Sequence, residues 1–582
     1  MFAISVAAGT AGNTGGATAL GAGPSASVDV LGPQPTLEPG PGFDGPTPEP
    51  PAIGTGPGSD AKAIARWDVV PYQTFDGIFQ IGVVAFHING IDRVEFSLEG
   101  GPWTAAMPVM TRNPLTDVVE YWVNLDASLL PDGPIEIRAI AYPTVGIPRV
   151  LDGPMNRSTL RGNGEFSLCL NSNGNGTQNG PIRYVSVNGD DVSGTGSPQA
   201  PFQTIFRAAH SMVSGTGSAD GGIVYLYPGE YLYGTESGQI RNHNRWLTIM
   251  PYPGTPQGSA KIIGYGTRLG LRTALVHLKD LEIRPSIQEF ELLGSDDSDD
   301  YLWIDRCSLI GHNRMGWWSQ RTSWSGQFMT DTTVKDFRDG IVYHDFARNC
   351  RVQTIASDAY TGTPVVINCT AEDVDRQGDT DIHPDIYQVH MDGSSLENGV
   401  VYGLRAHNFV AQGIFAAGVP LVQDTAFVNI IIDFADNDLT PLLSQWNVTS
   451  EHVLLWYITF HNQVFLWRHD VSQINNFSIK GCVFEKLQVN AGATFDDNWF
   501  QSNHYIDAAS WLAITPGYDA STGYPDYMNV QQHDFRPRKS SPLAQRIAEP
   551  NILVDAMGAT RSRLTSVGAL AAEGECNDPP SK

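Results

Sequence analysis

The sequence predicts an all-β chain in which a Gly/Pro-rich arm and a small β-sandwich precede a long solenoid of stacked coils. Three observations predict this. The 582 residues contain 60 Gly and 38 Pro, which suits a protein made of many turns. Short runs of β-forming residues separated by turn pairs fill residues 61–170. From residue 181 onward, strand-like phrases recur about every 19 to 26 residues, as expected for one coil of a stacked β architecture.

Residues 1–60 are dominated by Gly, Pro, Ala, Ser and Thr, and they include the proline-rich run 45–51. Such a segment buries too little apolar surface to fold alone. Ordering its backbone costs about 1 to 2 kcal/mol per residue, so contacts outside the arm must hold it in place. We therefore expect residues 1–60 to be an arm that anchors the chain to a partner.

Residues 61–170 read as a β-sandwich, because runs 78–86, 94–98, 118–123 and 135–141 are rich in β-formers and partly alternate. The run 94–98, followed by residues 130–139, resembles bacterial Ig-like modules. That resemblance implies a spacer or adhesive unit with no catalytic role. Residues 171–180 form a polar linker to the solenoid.

The solenoid has a recognisable beginning and end. A β run with a Gly/Asp/Ser turn (184–197) and a Pro-led amphipathic segment (201–209) resemble the entrance of right-handed parallel β-helix proteins of the pectate-lyase-like superfamily. Residues 534–543 and 555–570 resemble the closing turns of bacterial and phage β-helix repeat proteins. The resemblance implies a right-handed parallel β-helix with an N-terminal cap helix over residues 181–573, and a tail over 574–582.

This fold serves polysaccharide lyases, glycoside hydrolases, epimerases, phage tailspikes and inert virion decorations, so function must be inferred from the site. The formal net charge of −26 disfavours nucleic acid or an anionic membrane as a partner. A neutral glycan or a divalent cation fits that charge better, although acidity also simply keeps a surface soluble. We expect no membrane span and no export signal, because the first eight residues lack a basic segment.

The six cysteines form no CxxC pair. Cys307, Cys369 and Cys482 lie in similar local phrases, which indicates small interior side chains of stacked coils rather than disulfides or metal ligands.

The best chemical candidate is the polar segment 378–392. Alternation places its acidic, imidazole and amide side chains on one side before and after Pro384, where they would form a cluster on an outer groove. Acid/base chemistry on a sugar needs such groups near their working pKa, and Arg376 and Arg405 are the nearest basic partners. The alternative is that they hydrogen-bond across coils. The candidate catalytic residues are Asp379, Asp381, His383, Asp385, Gln388 and His390.

Other family signatures are missing. The sequence lacks the catalytic series of polygalacturonases, and Arg306 stands where the pectate-lyase signature has His. Asp296, Asp297, Asp299 and Asp300 are candidates for calcium or for a solvated acidic turn. No other cofactor is expected.

A second candidate site is an aromatic loop. Flat rings beside polar groups suit sugar faces and protein interfaces equally, and burial under a loop is the alternative. The candidate glycan- or partner-binding residues are Trp317, Trp318, Trp324 and Arg321.

Two functions follow from these expectations. The first is a bacteriophage virion protein, a capsid decoration or spike, anchored to other virion proteins by residues 1–60 and exposed on the particle, with host surface glycans as candidate ligands. The second is a tailspike or extracellular lyase or hydrolase that degrades an acidic polysaccharide. In either case we expect a homo-oligomer, such as a trimer, with no nucleic-acid or membrane partner.

Overall fold

The computed structural model describes most of the chain from residue 33 onward, and residues 34–582 belong to one compact unit. The described residues are 33–131, 133–152, 169–171, 180–213, 221–233, 240–264, 269–285, 293–295, 301–312, 326–375, 384–389, 395–434, 443–461, 464–467, 473–484, 486–489, 493–496, 498–500, 527–529, 532, 534–544, 547–548, 555–556, 564–565 and 568–572.

The first module is built from short strands and one 3-10 helix, Ala127–Leu129. Its strands are β1 (Ile64–Trp67), β2 (Gln73–Phe75), β3 (Ile78–Phe86), β4 (Ile91–Leu98), β5 (Thr104–Ala105), β6 (Thr111–Arg112), β7 (Val119–Asp126), β8 (Gly133–Ile135), β9 (Ile137–Pro143), β10 (Arg149–Asp152) and β11 (Cys169–Asn171).

Two antiparallel four-stranded sheets form a sandwich, with strand orders β1-β3-β7-β6 and β10-β9-β4-β5. In chain order these correspond to the ABED and GFC sheets of an Ig-like domain, with β5 added beside β4. The four β-forming runs of the sequence become β3, β4, β7 and β9. Alternate side chains fill the space between the sheets, where Trp67 packs on Phe96 with ring centroids 5.9 Å apart.

The segment before the sandwich is ordered against it from residue 34. The side chain of Leu37 is buried in the sandwich core. Isolated β-bridges join Thr36 to Asn124 and Ile53 to Gly146. The sandwich therefore supplies the external contacts that residues 34–60 need for order. Residues 1–32 of the predicted arm lie outside the described residues.

The second module is a parallel β-helix. It contains β12 (Ile182–Val185), the cap helix α1 (Ile205–His210), β13 (Gly222–Leu226), β14 (Gly229–Tyr233), β15 (Ile240–Pro251), β16 (Ala260–Gly264), β17 (Leu269–Lys279), β18 (Glu282–Pro285), β19 (Leu293–Ser295), β20 (Tyr301–Asp305), β21 (Ser308–Ile310), β22 (Gln327–Thr330), β23 (Thr333–Lys335), β24 (Ile341–Val342), β25 (Phe346–Arg348), β26 (Arg351–Ile355), β27 (Tyr360–Thr361), β28 (Val365–Ile367), β29 (Thr370–Val374), β30 (Asp385–Val389), β31 (Leu396–Glu397), β32 (Val400–Tyr402), β33 (Arg405–Phe409), β34 (Gln412–Val428), β35 (Ile431–Phe434), β36 (Leu443–Trp456), β37 (Thr459–His461), β38 (Val464–Trp467), β39 (Ile474–Lys480), β40 (Val483–Phe484), β41 (Lys486–Val489), β42 (Thr494–Asp496) and β43 (Trp499–Phe500).

The coils have three faces, which we number by their order within one coil. For example, the chain passes from β27 on the first face to β28 on the second and β29 on the third. The first and second faces belong to one 20-stranded sheet, and the third is a 12-stranded sheet running from β14 to β43. Strands on neighbouring coils pair in parallel, so equivalent residues form columns. Successive residues in one column are about 4.8 Å apart.

The corner between the second and third faces is a column of residues with left-handed backbone. Seven of its nine members are Asp, Asn or Gly, the residue types that tolerate a positive φ. An interior residue follows each of them. Cys307, Cys350, Cys369 and Cys482 take this interior position and are free thiols, which confirms the interpretation of the three cysteines named from the sequence. The column is Asp280, Arg306, Asp331, Asn349, Asn368, Gly403, Asn429, Tyr457 and Gly481.

The two ends of the solenoid use the segments that the sequence marked. Helix α1 begins after Thr204, whose side-chain oxygen accepts a hydrogen bond from the Arg207 backbone N–H, and it buries Ile205 and Ala208 against the first coils. Near the other end, β44 (Tyr527–Asn529) pairs with β45 (Asp534–Pro537), and β46 (Ile547–Ala548) pairs with β47 (Leu564–Thr565). Residues 568–571 pack on later coils, where the Ala569 backbone N–H donates to Thr459.

The sandwich packs side by side with the solenoid. The outer side of sheet β1-β3-β7 lies on the outward side chains of the second face, so the strands there are buried on both sides. The shared apolar cluster contains Ile64, Val84, Phe86, Val118 and Val119 from the sandwich, and Leu275, Tyr301, Phe328, Phe346, Val365, Val400, Ala426 and Leu454 from the solenoid.

Polar contacts fix the register of this junction. Asn398 imitates a strand partner, because its side chain accepts from the Ala65 N–H at 2.9 Å and donates to the Ala65 carbonyl at 2.8 Å. Arg348 donates to the Asp68 carbonyl at 2.7 Å, and Arg149 donates to Asp424 at 2.7 Å. Since each of these groups is largely removed from water, a displaced sandwich would leave them unpaired.

Candidate functional site

Most of the predicted site residues lie outside the described residues. This applies to Asp379, Asp381, His383 and His390, to the tryptophan loop of Trp317, Trp318, Arg321 and Trp324, and to Arg376 and the aspartates of 296–300. Asp385, Gln388 and Arg405 are described.

Asp385 is fully buried and points into the solenoid, not into the outer groove predicted for it. The reason is the register of its strand. Tyr387 stacks on Tyr360 and fills the core, and Asp385 lies two residues earlier on the same side. Gln388 faces the other way, half-buried and in register with Thr361 and Phe415.

The same column holds two more carboxylates. Asp339 and Asp358 precede Ile341 and Tyr360 by two residues, so they occupy the position of Asp385 on the two preceding coils. Asp358 accepts from the Asp385 N–H at 2.9 Å and from the Thr361 hydroxyl at 3.0 Å. Gln412 continues the column on the next coil.

Burial controls the protonation of this interior column. It raises the pKa of Asp358 to about 7, with a further contribution from the nearby Asp339. Burial, and then repulsion from Asp358, also raises the pKa of Asp385 well above its ordinary value. Burial therefore favours the protonated forms of both groups, and about half of Asp358 carries a proton at pH 7. Asp358 joins its coil to the next through the Asp385 backbone N–H, whereas both carboxyl oxygens of Asp385 are buried without a hydrogen-bond partner among the described residues.

An outward cleft lies where the sandwich, the solenoid and the C-terminal segment meet. Its volume is about 510 Å³. Third-face residues Arg351, Thr370 and Arg405 stack in register along one side. The remaining lining comes from the turn column (Asp331, Asn349, Asn368, Gly403), the sandwich (Arg112, Asp117, Val119), Cys350, Tyr402, Asp555 and Ala556.

Both modules hold the cleft in shape. The side-chain amides of Asn349 and Asn368 donate to the carbonyls of Thr116 and Asp117 at 3.0 and 3.1 Å. Arg112 pairs with Asp117 at 2.6 Å. These contacts belong to the folded junction, so the cleft is preformed when the sandwich is docked.

The charges that line the cleft balance. Three arginines, Arg112, Arg351 and Arg405, face three carboxylates. Burial lowers the pKa of Arg405, yet an arginine remains charged at neutral pH. The wall thus offers both donors and acceptors without a net charge. The carboxylates are Asp117, Asp331 and Asp555.

A carboxylate–imidazole pair stands beside the cleft on the third face. Glu372 accepts from Arg351 and, at 2.9 Å, from Gln353, and its second oxygen lies 3.5 Å from the His407 ring. Burial opposes ionisation of Glu372, but the hydrogen bond from Arg351 and the charge of His407 outweigh it and lower its pKa. Glu372 is therefore ionised at neutral pH and can orient the His407 ring for acid/base chemistry.

Sequence reasoning did not bring these residues together, because they lie on three separate coils. The sequence pattern that could have grouped them is a polar-apolar-polar triplet that recurs after a left-handed turn. It occurs at residues 351–353, 370–372 and 405–407. Of the basic partners proposed for the predicted cluster, Arg405 belongs to this cleft.

In the described part of the chain, no group of three His, Cys, Asp or Glu side chains is placed to hold a metal ion. Nor does any helix among these residues have the length and apolarity needed to cross a membrane. No protein-family model matches the sequence, and no curated protein matches it.

Proposed function

We propose that this chain is a structural protein of a phage particle that displays a β-helix on the particle surface and binds an uncharged host glycan in the cleft between its two modules. The observation that carries the proposal is the preformed polar cleft of about 510 Å³ beside the Arg351–Thr370–Arg405 column.

The cleft chemistry favours an uncharged sugar. Each sugar hydroxyl both donates and accepts a hydrogen bond, so it is satisfied by a wall of arginines and amides next to carboxylates. A polyanion would meet Asp331 and Asp555 as well as the arginines, in a chain whose formal net charge is −26. This charge argues against the acidic polysaccharide considered from the sequence.

The particle location is supported by the sequence. The closing segments resemble those of bacterial and phage β-helix repeat proteins, and a Gly/Pro-rich arm suits anchoring. Gln34 is held on the sandwich by a 2.8 Å hydrogen bond to Thr111. An anchor formed by residues 1–32 would therefore join the displayed body at the sandwich.

Calorimetric titration of the intact chain with uncharged and acidic bacterial surface polysaccharides tests the glycan proposal. We expect binding of an uncharged member, weakened at least tenfold by Arg351→Ala, because a charge-assisted hydrogen bond contributes about 1.5 to 3 kcal/mol. Arg351 is largely exposed, so its loss should leave folding intact.

Lys335→Ala is the matched control, since it removes an exposed cation from the same face outside the cleft. Equal weakening by both variants, or binding of acidic members alone, would contradict the proposal. Antibody labelling of purified particles tests the location, and unlabelled particles would refute it.

The second candidate function is glycan cleavage, and the Glu372–His407 pair favours it. In that case His407 would act as the general acid or base beside a sugar held by Arg351 and Arg405. Release of reducing ends or unsaturated products from a bound polysaccharide, abolished by His407→Gln, would support cleavage. Binding without product release would leave the binding role alone.

A further inference from the structure

The sandwich covers only part of the second face. Two columns of outward side chains run along this face. One passes through Ile182, Ile223, Thr248, His277 and Trp303. The other begins with Tyr184, Tyr225 and Met250. Further along, the first column enters the apolar cluster shared with the sandwich at Phe328. The second column passes Asp305, Thr330 and Arg348 before it enters the same cluster at Ile367.

The first coils carry the start of these columns, and the third coil already meets the sandwich module at Trp246, whose ring N–H donates to the Pro71 carbonyl at 2.8 Å. Four tyrosine rings meet on the first coils, with Tyr184 5.6 Å from Tyr225 and Tyr227 5.1 Å from Tyr252 between ring centroids. Ile182 is 42% exposed and Tyr252 is 38% exposed. None of the side chains in this patch carries a charge at neutral pH. We call it the open patch: Ile182, Tyr184, Ile223, Tyr225, Tyr227, Met250 and Tyr252.

Exposed large apolar side chains in the described part of the chain fall in two regions only. One is the solenoid entrance, with Ile182 and Tyr252 of the open patch and with Val187, Val192 and Leu232 outside it. The other is the sandwich. There, Trp103 and Leu115 are 39% and 49% exposed, and Ile78 and Leu129 are 52% and 55% exposed. Ile78 pairs with Asp126, three residues before Leu129 in the 3-10 helix. We call Ile78 and Leu129 the sandwich tip.

We propose that the open patch binds the sandwich tip of a second copy of this chain, giving a head-to-tail homo-oligomer. The argument is continuity with the junction inside one copy, where the same columns of the second face already receive an apolar surface of the sandwich. Tyr and Met are enriched in protein interfaces, and charged residues are depleted at their centres.

Charge supports a contact at this place. Two copies with a formal charge of −26 each repel one another, so they associate where uncharged apolar surfaces meet. The patch and the tip are different surfaces of one chain, so their contact is heterologous and forms either a closed ring or an open chain. This inference goes beyond the proposed glycan binding and does not depend on it.

Sedimentation analysis of the full chain tests the proposal over a wide concentration range. We expect the wild type to sediment at a multiple of 63.2 kDa. Tyr227→Ser with Tyr252→Ser, and separately Ile78→Asp with Leu129→Asp, should each give monomers with unchanged thermal unfolding. Leu232→Ser is the control, because Leu232 is 55% exposed on the third face of the same coils.

Mixing the two double variants separates a head-to-tail contact from other arrangements. Each variant keeps one intact surface, so the mixture should form a dimer that neither forms alone. A monomeric wild type, an oligomer unaffected by the tyrosine substitutions, or a mixture that stays monomeric would overturn the proposal. If the open patch serves a different protein, the wild type alone will be monomeric.

Discussion

Glu120 and Asp68 form a buried pair of carboxyl groups in the sandwich sheet that faces the solenoid. Glu120 accepts hydrogen bonds from Asn113 at 2.7 Å and from Thr116 at 3.2 Å. Across the junction, an Arg348 nitrogen lies 3.7 Å from the Asp68 carboxylate. Burial, and then repulsion from Asp68, raises the pKa of Glu120 well above its ordinary value. One cation cannot compensate two buried anions, so the pair keeps a proton at neutral pH.

The sign of the pH dependence follows from this proton. Glu120 of the unfolded chain loses its proton near pH 4.3, whereas the folded pair retains it. The folded state therefore binds more protons, and its stability falls as the pH rises through this window. The slope is about 1.4 kcal/mol per pH unit until the pKa of the folded pair is passed.

Glu120→Gln removes this slope. Its amide oxygen keeps the hydrogen bond from Asn113, and its NH₂ group can donate to Asp68. We expect the variant to gain stability relative to the wild type by about 1.4 kcal/mol for each pH unit above 5 within the window. Urea titrations at several pH values measure this difference, with Glu38→Gln as a control on an exposed carboxylate. Parallel pH profiles for Glu120→Gln and the wild type would refute the reasoning.

Two further predictions concern the same junction. Burial, and then the neighbouring His452, lowers the pKa of His87 to about 4. The unfolded chain binds this proton near pH 6.5, so stability should fall by about 3 kcal/mol as the pH drops from 6.5 to 4. His87→Gln should flatten that decline in urea titrations, and an unchanged decline would count against the assignment. Asn398→Ala should cost about 2 to 4 kcal/mol, because the Ala65 N–H and C=O lose their partners. A cost below about 0.5 kcal/mol in the same titration would show that water replaces the amide.

The fold was accessible from the sequence because its signals are local. Turn pairs and β-forming runs marked β3, β4, β7 and β9, and the cap phrase marked helix α1. Phrases such as residues 365–367 marked single rungs of the stack. The docking of the sandwich was not accessible, because it depends on outward side chains from coils far apart in sequence. Val365 and Val400 look like ordinary core residues until the strand register places them outside.

The predicted site shows the limit of alternation as a guide. The alternation of side chains along a strand predicted that the polar residues of 378–392 share one surface. In the structure, Tyr387 stacks on Tyr360 in the core, and Asp385 therefore points inward. The sequence did not predict the cleft, because its lining residues are far apart along the chain. Arg351, Thr370 and Arg405 become neighbours only through the pairing of three strands, and the sandwich that completes the cleft arrives from the other module.

Hydrogen–deuterium exchange of the intact chain, with and without the tightest-binding uncharged polysaccharide, tests the central claim most directly. The account predicts added protection in β26, β29 and β33, and in the Arg112–Asp117 loop of the sandwich, with little change on the first face. Protection confined to the first face or the solenoid entrance, or no protection at saturating polysaccharide, would contradict a glycan site in the cleft.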